Sequence, residues 1–368
     1  MAHVRLKSVT KTFGSHTALK NLDIEIQNGE FFVLLGPTGA GKTTTLRLIA
    51  GLDKPTEGTI EIDGVDVGGW GAAERDVALV LQQYSLYPRY TVRQNLEFPL
   101  KSKVRRVPQN EIDDLVARAA KTLRIGHLLD RKVDRLSGGE MQRVSIGRAI
   151  VRSPRIFLMD EPLSNLDAKL REALRTELKE LQVRLGATFL FVTHDQIEAM
   201  SMGDKVGVLN DGRLVQVGTP HDIYHHPRNM FVAAFVGSPA MNLIPAEIDG
   251  DEVAIPTAGC TFRLTEATRR RFGNARGKVI LGVRAESVHL HDEGPVAARV
   301  WGVENHGVEK IVTLKAGELI FRATLPPSLP TEIDTTLRLA FDQDRMHVFD
   351  PATEQSLVDE PDMQEAAE

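Results

Sequence analysis

Apolar residues in the first two thirds of the chain follow two alternating patterns. Short unbroken runs, FFVLL (31–35), ALVLQ (78–82), RIFLM (155–159) and TFLFVT (188–193), have no polar alternation and predict strands buried on both faces, as in a parallel sheet. Between them the period changes. Leu170, Leu174, Leu178, Leu181 and Leu185 recur every three or four residues, and Gly186 stands where a helix C-cap belongs. Ile112, Leu115, Val116, Ala119 and Leu123 form a second such stripe. Strand–helix alternation of this kind predicts an α/β fold with helices on the sheet faces.

After residue 236 the texture shifts. GSPAMNLIP (237–245) reads as a linker because of its prolines, and short β-type runs follow: KVILGVR (278–284), VAARVWGVE (296–304), EKIVTLK (309–315), ELIFRA (318–323) and MHVFD (346–350). They predict a small all-β, barrel-like domain. The last stretch, TEQSLVDEPDMQEAAE, carries acids and no bases, and a disordered tail is expected there. The expected organisation is an α/β domain over 1–236 with a helical subdomain at about 88–155, a β-rich domain over 237–350 and an acidic tail over 351–368.

Composition narrows the picture. The chain has 368 residues, 42% hydrophobic and 26% charged, which suits two domains with cores of their own. A net charge of −5 argues against nucleic acid as a partner, since phosphate neutralisation needs a basic face. The single cysteine, Cys260, has no internal disulfide partner and fits a reducing compartment. MAHVRLKSVTKTF lacks the apolar core of a signal peptide, and Ala2 offers no glycine for myristoylation. With no apolar run near the roughly 20 residues of a membrane span, any membrane role is expected to pass through a partner.

Candidate chemistry begins at Gly36-Pro37-Thr38-Gly39-Ala40-Gly41-Lys42-Thr43, which matches G-x-x-x-x-G-K-[ST] between an expected strand and an expected helix. In such a loop backbone N–H groups wrap phosphates, the lysine reaches the β and γ oxygens, and the threonine hydroxyl ligates Mg²⁺. The run RIFLMDEP then brings Asp160 to a strand end as a Mg²⁺ carboxylate, with Glu161 beside it to polarise an attacking water. His194 ends another strand on the same sheet edge, where it can meet the γ-phosphate or the water. Gln82 is expected to end ALVLQ in the same way, with its amide on Mg²⁺ or water. A second cradle lies in LSGGE: Ser137 can cap a helix, and Gly138 and Gly139 let backbone approach an anion.

These parts, in this order, resemble an ABC-transporter ATPase subunit, with LSGGE as its signature motif, and the resemblance covers the whole chain. It implies an α/β P-loop ABC ATPase domain with a helical subdomain, followed by a small OB-like regulatory barrel. It further implies that Phe13 in KTFG stacks on adenine, that Gly36, Pro37, Thr38, Gly39, Ala40, Gly41, Lys42, Thr43 and Thr44 hold ATP, and that Asp167 in SNLDA belongs to the nucleotide site. In that family two chains pack head to tail, and Ser137, Gly138, Gly139 and Glu140 would bind ATP held by the other chain's P-loop. One position departs: the family usually has glutamine where this chain has Glu140. A negative charge there opposes a triphosphate, although it is favourable in the first turn of a helix.

GSPAMN (237–242), GVRAES (282–287), MHVFD, LYPRYTVRQNLEFPL (86–100) and PLSNLDAKLR (162–171) are similar to the carbohydrate-importer group within the family. The resemblance implies ATP hydrolysis driving uptake of a sugar or sugar-like solute, by a homodimer on the cytoplasmic face of the bacterial inner membrane. Two integral-membrane permease subunits and an extracytoplasmic solute-binding protein are the implied partners. The surface around Tyr84 to Pro88 would line a groove for a permease helix. A GTPase is excluded by the lack of N-K-x-D, and a chromosome-maintenance ATPase by the lack of a heptad coiled coil between P-loop and signature.

Overall fold

The computed structural model describes residues 2–102 and 107–358. They form two compact units, Met1–Pro220 and His221–Glu368. In the first, a six-stranded sheet runs in the order Arg213–Gly218, Lys205–Asn210, Phe31–Leu35, Thr188–Thr193, Ile156–Asp160, Val77–Val80. All its pairings are parallel except that of the Arg213–Gly218 edge. Phe31–Leu35, Ile156–Asp160 and Thr188–Thr193 are buried along their whole length, as unalternating apolar runs require. A second, antiparallel sheet is built from His16–Ile26, Val4–Phe13, Glu57–Ile62 and Val65–Asp66.

The leucine stripe is the helix Ala168–Leu185, which stops at Gly186 in the left-handed region (φ 58°). The other stripe is the helix Gln109–Thr122, and with Val92–Glu97 and Gly138–Ile150 it makes up the helical part of this unit. One strand is shorter than expected. Pairing between Val77–Val80 and Ile156–Met159 ends at Val80, and Leu81 and Gln82 are exposed past the sheet. Gln82 therefore does not end a strand.

The second unit contains two five-stranded sheets. One runs Cys260–Arg263, Glu252–Ile255, Asn242–Asp249, Gly277–Val283, His347–Phe349; the other runs Val288–Leu290, Thr336–Phe341, Val296–Asn305, Lys310–Ala316, Leu319–Leu325. Their inner faces share one apolar core that includes Ile244, Val279, Leu281, Val300, Phe321 and Val348. The expected linker is partly strand: Asn242–Asp249 pairs with Gly277–Val283 and alternates, with Ile244, Ala246 and Ile248 inward and Pro245 exposed. Period-2 alternation outweighs the proline, which sits on the outer face. The expected disordered tail is ordered at its start. Ser356 N donates to the Arg228 carbonyl (2.9 Å), and Leu357 and Val358 pack on the core; residues 359–368 lie outside the described residues.

Residues 221–236 belong to the β-rich unit. Buried Arg284 donates to the carbonyls of Val236, Ala233 (3.4 Å) and Tyr224 (2.7 Å), and Val232, Ala233 and Val236 are fully buried. A chain cut near Ser238 would keep that segment without its arginine. We expect a chain ending at Pro220 to melt cooperatively, and one ending at Ser238 to melt less sharply or aggregate. Calorimetry on the two truncations checks this, and identical cooperative transitions would contradict it.

Candidate functional site

The loop from Gly36 to Gly41 leaves the fully buried strand Phe31–Leu35 and enters the helix Lys42–Ile49. Two of its glycines have no room for a side chain. A Cβ on Gly36 would collide with the Leu209 carbonyl oxygen, and one on Gly41 (φ 106°) would lie 2.7 Å from that of Ala18. Gly41 is the N-cap, so no side chain covers the first-turn N–H groups, and they are left for an anion. Thr38, Gly39 and Thr43 are exposed at the mouth, while Ala40 is buried and Thr44 half-buried.

Lys42 is 5% exposed, and its ammonium donates to the carbonyls of its own loop, Gly36 (2.9 Å) and Pro37 (3.0 Å). Burial pulls its pKa down, against the raising fields of Glu161 and Asp160. Thr43 Oγ1 donates to Asp160 Oδ1 at 3.0 Å. Burial pushes the Asp160 carboxyl up from the usual range, and neighbouring Glu161 adds to this. A buried carboxylate joined to a threonine hydroxyl, with its charge poorly compensated, is a donor set suited to a hard divalent cation.

Glu161 follows at the strand end with φ 43°, its N–H held by the Val192 carbonyl (3.0 Å). That left-handed backbone is unusual for a residue with a Cβ, and such residues gather at functional sites. Its carboxylate lies between two partners: Oε1 is 3.6 Å from Lys42 Nζ, and Oε2 is 2.9 Å from His194 Nδ1. Sheet order explains the second contact, because Ile156–Asp160 and Thr188–Thr193 are neighbours and both carboxyl ends face the loop. The turn carrying His194 is fixed by residues that sequence reading missed. Asp195 caps the helix Gln196–Met202 through Ile197 N (2.8 Å) and Glu198 N (3.2 Å), and its other oxygen meets Arg171 Nη1 at 3.1 Å. Buried Glu198 accepts from Thr193 Oγ1 at 2.5 Å. Asp195 before an apolar run was a readable cap signal; Arg171 had none.

The other expected residues stand apart from this cluster. Gln82 is exposed, and its carbonyl accepts from Asn165 Nδ2 (3.1 Å), so it is its backbone, not its amide, that is tied down. Phe13 is 46% exposed, with Lys11 Nζ 4.7 Å from its ring centre, and is open to a flat ligand. Asp167 caps the helix Ala168–Leu185 through Leu170 N (3.0 Å). In the second cradle Ser137 caps the helix Gly138–Ile150 by a reciprocal box. Ser137 N and Oγ donate to Glu140 Oε2 (2.8 and 2.9 Å), and Glu140 N donates back to Ser137 Oγ (3.4 Å). These bonds, that from the Ser137 backbone foremost, hold the Glu140 carboxyl below its ordinary value. Gly139 also has a packing reason, since a Cβ there would collide with Leu170 Cδ2.

On the helical part, Tyr87, Tyr90 and Phe98 are partly exposed and touch through their rings, with centres 4.3 to 6.4 Å apart. Arg148 lies over Tyr87 and donates to the Ser85 carbonyl (2.6 Å). Among the described residues no helix is long and apolar enough to cross a membrane.

An uncapped helix start, a buried ammonium and two carboxylates on one sheet edge make a polyphosphate site, and the fold is that of a P-loop nucleotide hydrolase. Residues 19–164 match the ABC transporter family model, 237–288 the MalK OB fold domain and 281–349 the TOBE domain. The chain is 43% identical to the sulfoquinovosyl glycerol transport ATP-binding protein SmoE of Agrobacterium fabrum, over 97% of this chain and 100% of that one. It is 44% identical to the trehalose/maltose import ATP-binding protein MalK of Thermococcus litoralis (96% and 99%). It is 45% identical to the sn-glycerol-3-phosphate import ATP-binding protein UgpC of a Ruegeria species (96% and 98%). Among solved structures it is similar to a dimeric, post-hydrolysis state of the ATP-binding cassette MJ0796 bound to ADP and Pi, with TM-score 0.53 and 36% identity over 59% of this chain and 98% of that one. The chain belongs to the ATP-binding subunits of ABC transporters, in the group with MalK-type OB and TOBE domains, and it couples ATP hydrolysis to transport.

Proposed function

We propose that the protein powers import of a sugar or sugar-like solute, such as an oligosaccharide, glycoside, polyol, glycerol phosphate or sulfonated sugar. It would work as a homodimer on the cytoplasmic face of the inner membrane, beneath two permease subunits served by an extracytoplasmic solute-binding protein. The observation that carries the chemistry is Glu161, poised between Lys42 and His194 and adjoining the Thr43–Asp160 pair. The Gly36–Thr44 loop receives the phosphates, Lys42 turns from its own carbonyls to their oxygens, and Phe13 meets adenine. Thr43 and Asp160 would hold Mg²⁺, which supplies neutralisation of phosphate charge; Gln82 would have to turn its amide inward to join them. Glu161 takes the proton of a water whose oxygen attacks the γ-phosphorus as the bond to the β-phosphate oxygen breaks, giving ADP and phosphate. His194 orients Glu161 and that water. Ser137, Gly138, Gly139 and Glu140 act on the nucleotide of the other chain, and the β-rich unit regulates or steadies the dimer. The exposed Tyr87, Tyr90 and Phe98 cluster supports a docking role for the surface around Tyr84 to Pro88. Co-purification with candidate permeases, followed by solute uptake into vesicles loaded with ATP, tests the reading. Absence of ATP-dependent uptake of every solute class above would overturn it.

Glu140 gives a separate expectation. Glutamine keeps the cap but removes a negative charge from the phosphate's surroundings. We expect Glu140→Gln to lower the KM for ATP several-fold and to lower the melting temperature modestly, since the neutral amide accepts the Ser137 bonds less strongly than the carboxylate; steady-state kinetics and calorimetry check it.

A further inference from the structure

The β-rich unit contains a cleft of about 450 Å³ that the nucleotide chemistry does not use. The short helix Pro220–His225 and the residues after it form one side; Arg284 to Ser287 and Asp344 to His347 form others. Its lining is rich in guanidinium groups. Arg271, Arg284 and Arg345 line it with His225 and His347, beside two acids, Asp344 and Glu286, and Arg345 Nε also lies 3.6 Å from Asp342 Oδ2. Glu286 is engaged, since the Tyr224 hydroxyl donates to it at 2.6 Å.

Two lining groups are buried and unsatisfied. Arg284 is 4% exposed and Ser287 is 1% exposed, and neither Arg284 Nε nor Ser287 Oγ has a hydrogen-bond partner among the described residues. Orphaned donors of this kind are costly unless a ligand satisfies them. The Arg284 guanidinium is also held against the Tyr224 ring, 4.0 Å from its centre, so its direction is fixed. Burial, then the charges of Arg284 and Arg271, push His347 down to about 3, and burial with His221 and His226 lowers His225. The cleft thus gathers three guanidinium groups, at a size suited to a small metabolite.

We propose that this cleft binds the phosphate group of a small anion, either inorganic phosphate or a phosphomonoester of a small polyol. The unpaired Arg284 Nε–H, the neighbouring guanidinium groups and a serine hydroxyl match a tetrahedral oxyanion with several acceptor oxygens. The volume exceeds what a bare phosphate fills, which leaves room for an attached polyol. The inference goes beyond the transport reading and does not depend on it.

The test is calorimetric titration of the full-length chain with inorganic phosphate, with sn-glycerol 3-phosphate and with glycerol. Saturating Mg-ADP is present throughout to occupy the P-loop. Saturable binding of either phosphate compound, without binding of glycerol, is expected, and the tighter of the two identifies the source. The double variant Arg345→Gln/His225→Gln should weaken it about tenfold or more. Ser287→Ala, which removes only a hydroxyl, should weaken it several-fold and serves as the second variant if the first melts early. No saturable binding into the millimolar range overturns the proposal. So does binding that neither variant changes, or heat that sodium chloride at equal ionic strength reproduces.

Discussion

Glu161→Gln should retain ATP binding and lose turnover by about 10²- to 10⁴-fold, the usual contribution of a positioned general base. The amide keeps the shape and still meets Lys42 and His194, but it has no lone pair basic enough to accept a proton from water. The local fold should survive the change. The φ of 43° at this position and the bond from Glu161 N to Val192 are backbone features, and glutamine leaves them in place. Removing the charge also weakens a 3.6 Å attraction to Lys42, which frees the ammonium for phosphate and, if anything, tightens ATP. Lys42→Ala differs: it removes the ammonium from the cradle and should weaken nucleotide binding itself. Equilibrium binding and single-turnover hydrolysis on both variants separate the cases, and undiminished hydrolysis by Glu161→Gln would contradict the assignment.

The second large effect concerns the signature. If Ser137 and Gly139 serve the partner's nucleotide, mixing Lys42→Ala chains with Ser137→Arg chains rebuilds one intact site per mixed dimer. The Ser137→Arg chain then offers a normal P-loop to the normal signature of the Lys42→Ala chain, and both lesions fall in the other site. With Glu161→Gln added throughout to prevent hydrolysis, ATP occluded per dimer should be high in the mixture and low in either parent. If the signature acted on its own chain, every site would carry one lesion and mixing would restore nothing. An arginine at 137 loses the reciprocal bonds with Glu140, so the helix Gly138–Ile150 has to be checked by circular dichroism before the result is read. No gain over the parents, with mixed dimers demonstrated, counts against action in trans.

Most of the candidate site's geometry was legible because it is local. The P-loop, its flanking strand and its helix occupy one stretch, and the fully apolar strands announce burial without any knowledge of their neighbours. Neighbouring strands also put Glu161 and His194 together, as the position of both at strand ends implied. What sequence misplaced depends on distant partners. Val77–Val80 stops where its pairing with Ile156–Met159 stops, so Gln82 fell outside the sheet. Asn242–Asp249 was hidden by a proline that the outer face tolerates. Arg284 anchors residues 224 to 236 from across the second unit, and no spacing rule joins those positions. The box of Ser137 and Glu140 was different: S-x-x-E was readable, yet only the acid's charge was weighed.

That box bears on how the machine idles. A serine hydroxyl has one proton to donate, and Ser137 Oγ already donates it to the Glu140 carboxylate. Before it can reach a phosphate oxygen, the hydroxyl has to turn away from that carboxylate, and a hydrogen bond to a charged group is worth about 1.5–3 kcal/mol. If the signature serves the partner's nucleotide, closure of the dimer over ATP would have to break that bond before the bond to phosphate replaces it, a kinetic barrier unless something else favours the closed state. A permease holding its solute would be one source of that bias. On that reading Glu140 would set a threshold that keeps the subunit quiet when there is nothing to carry.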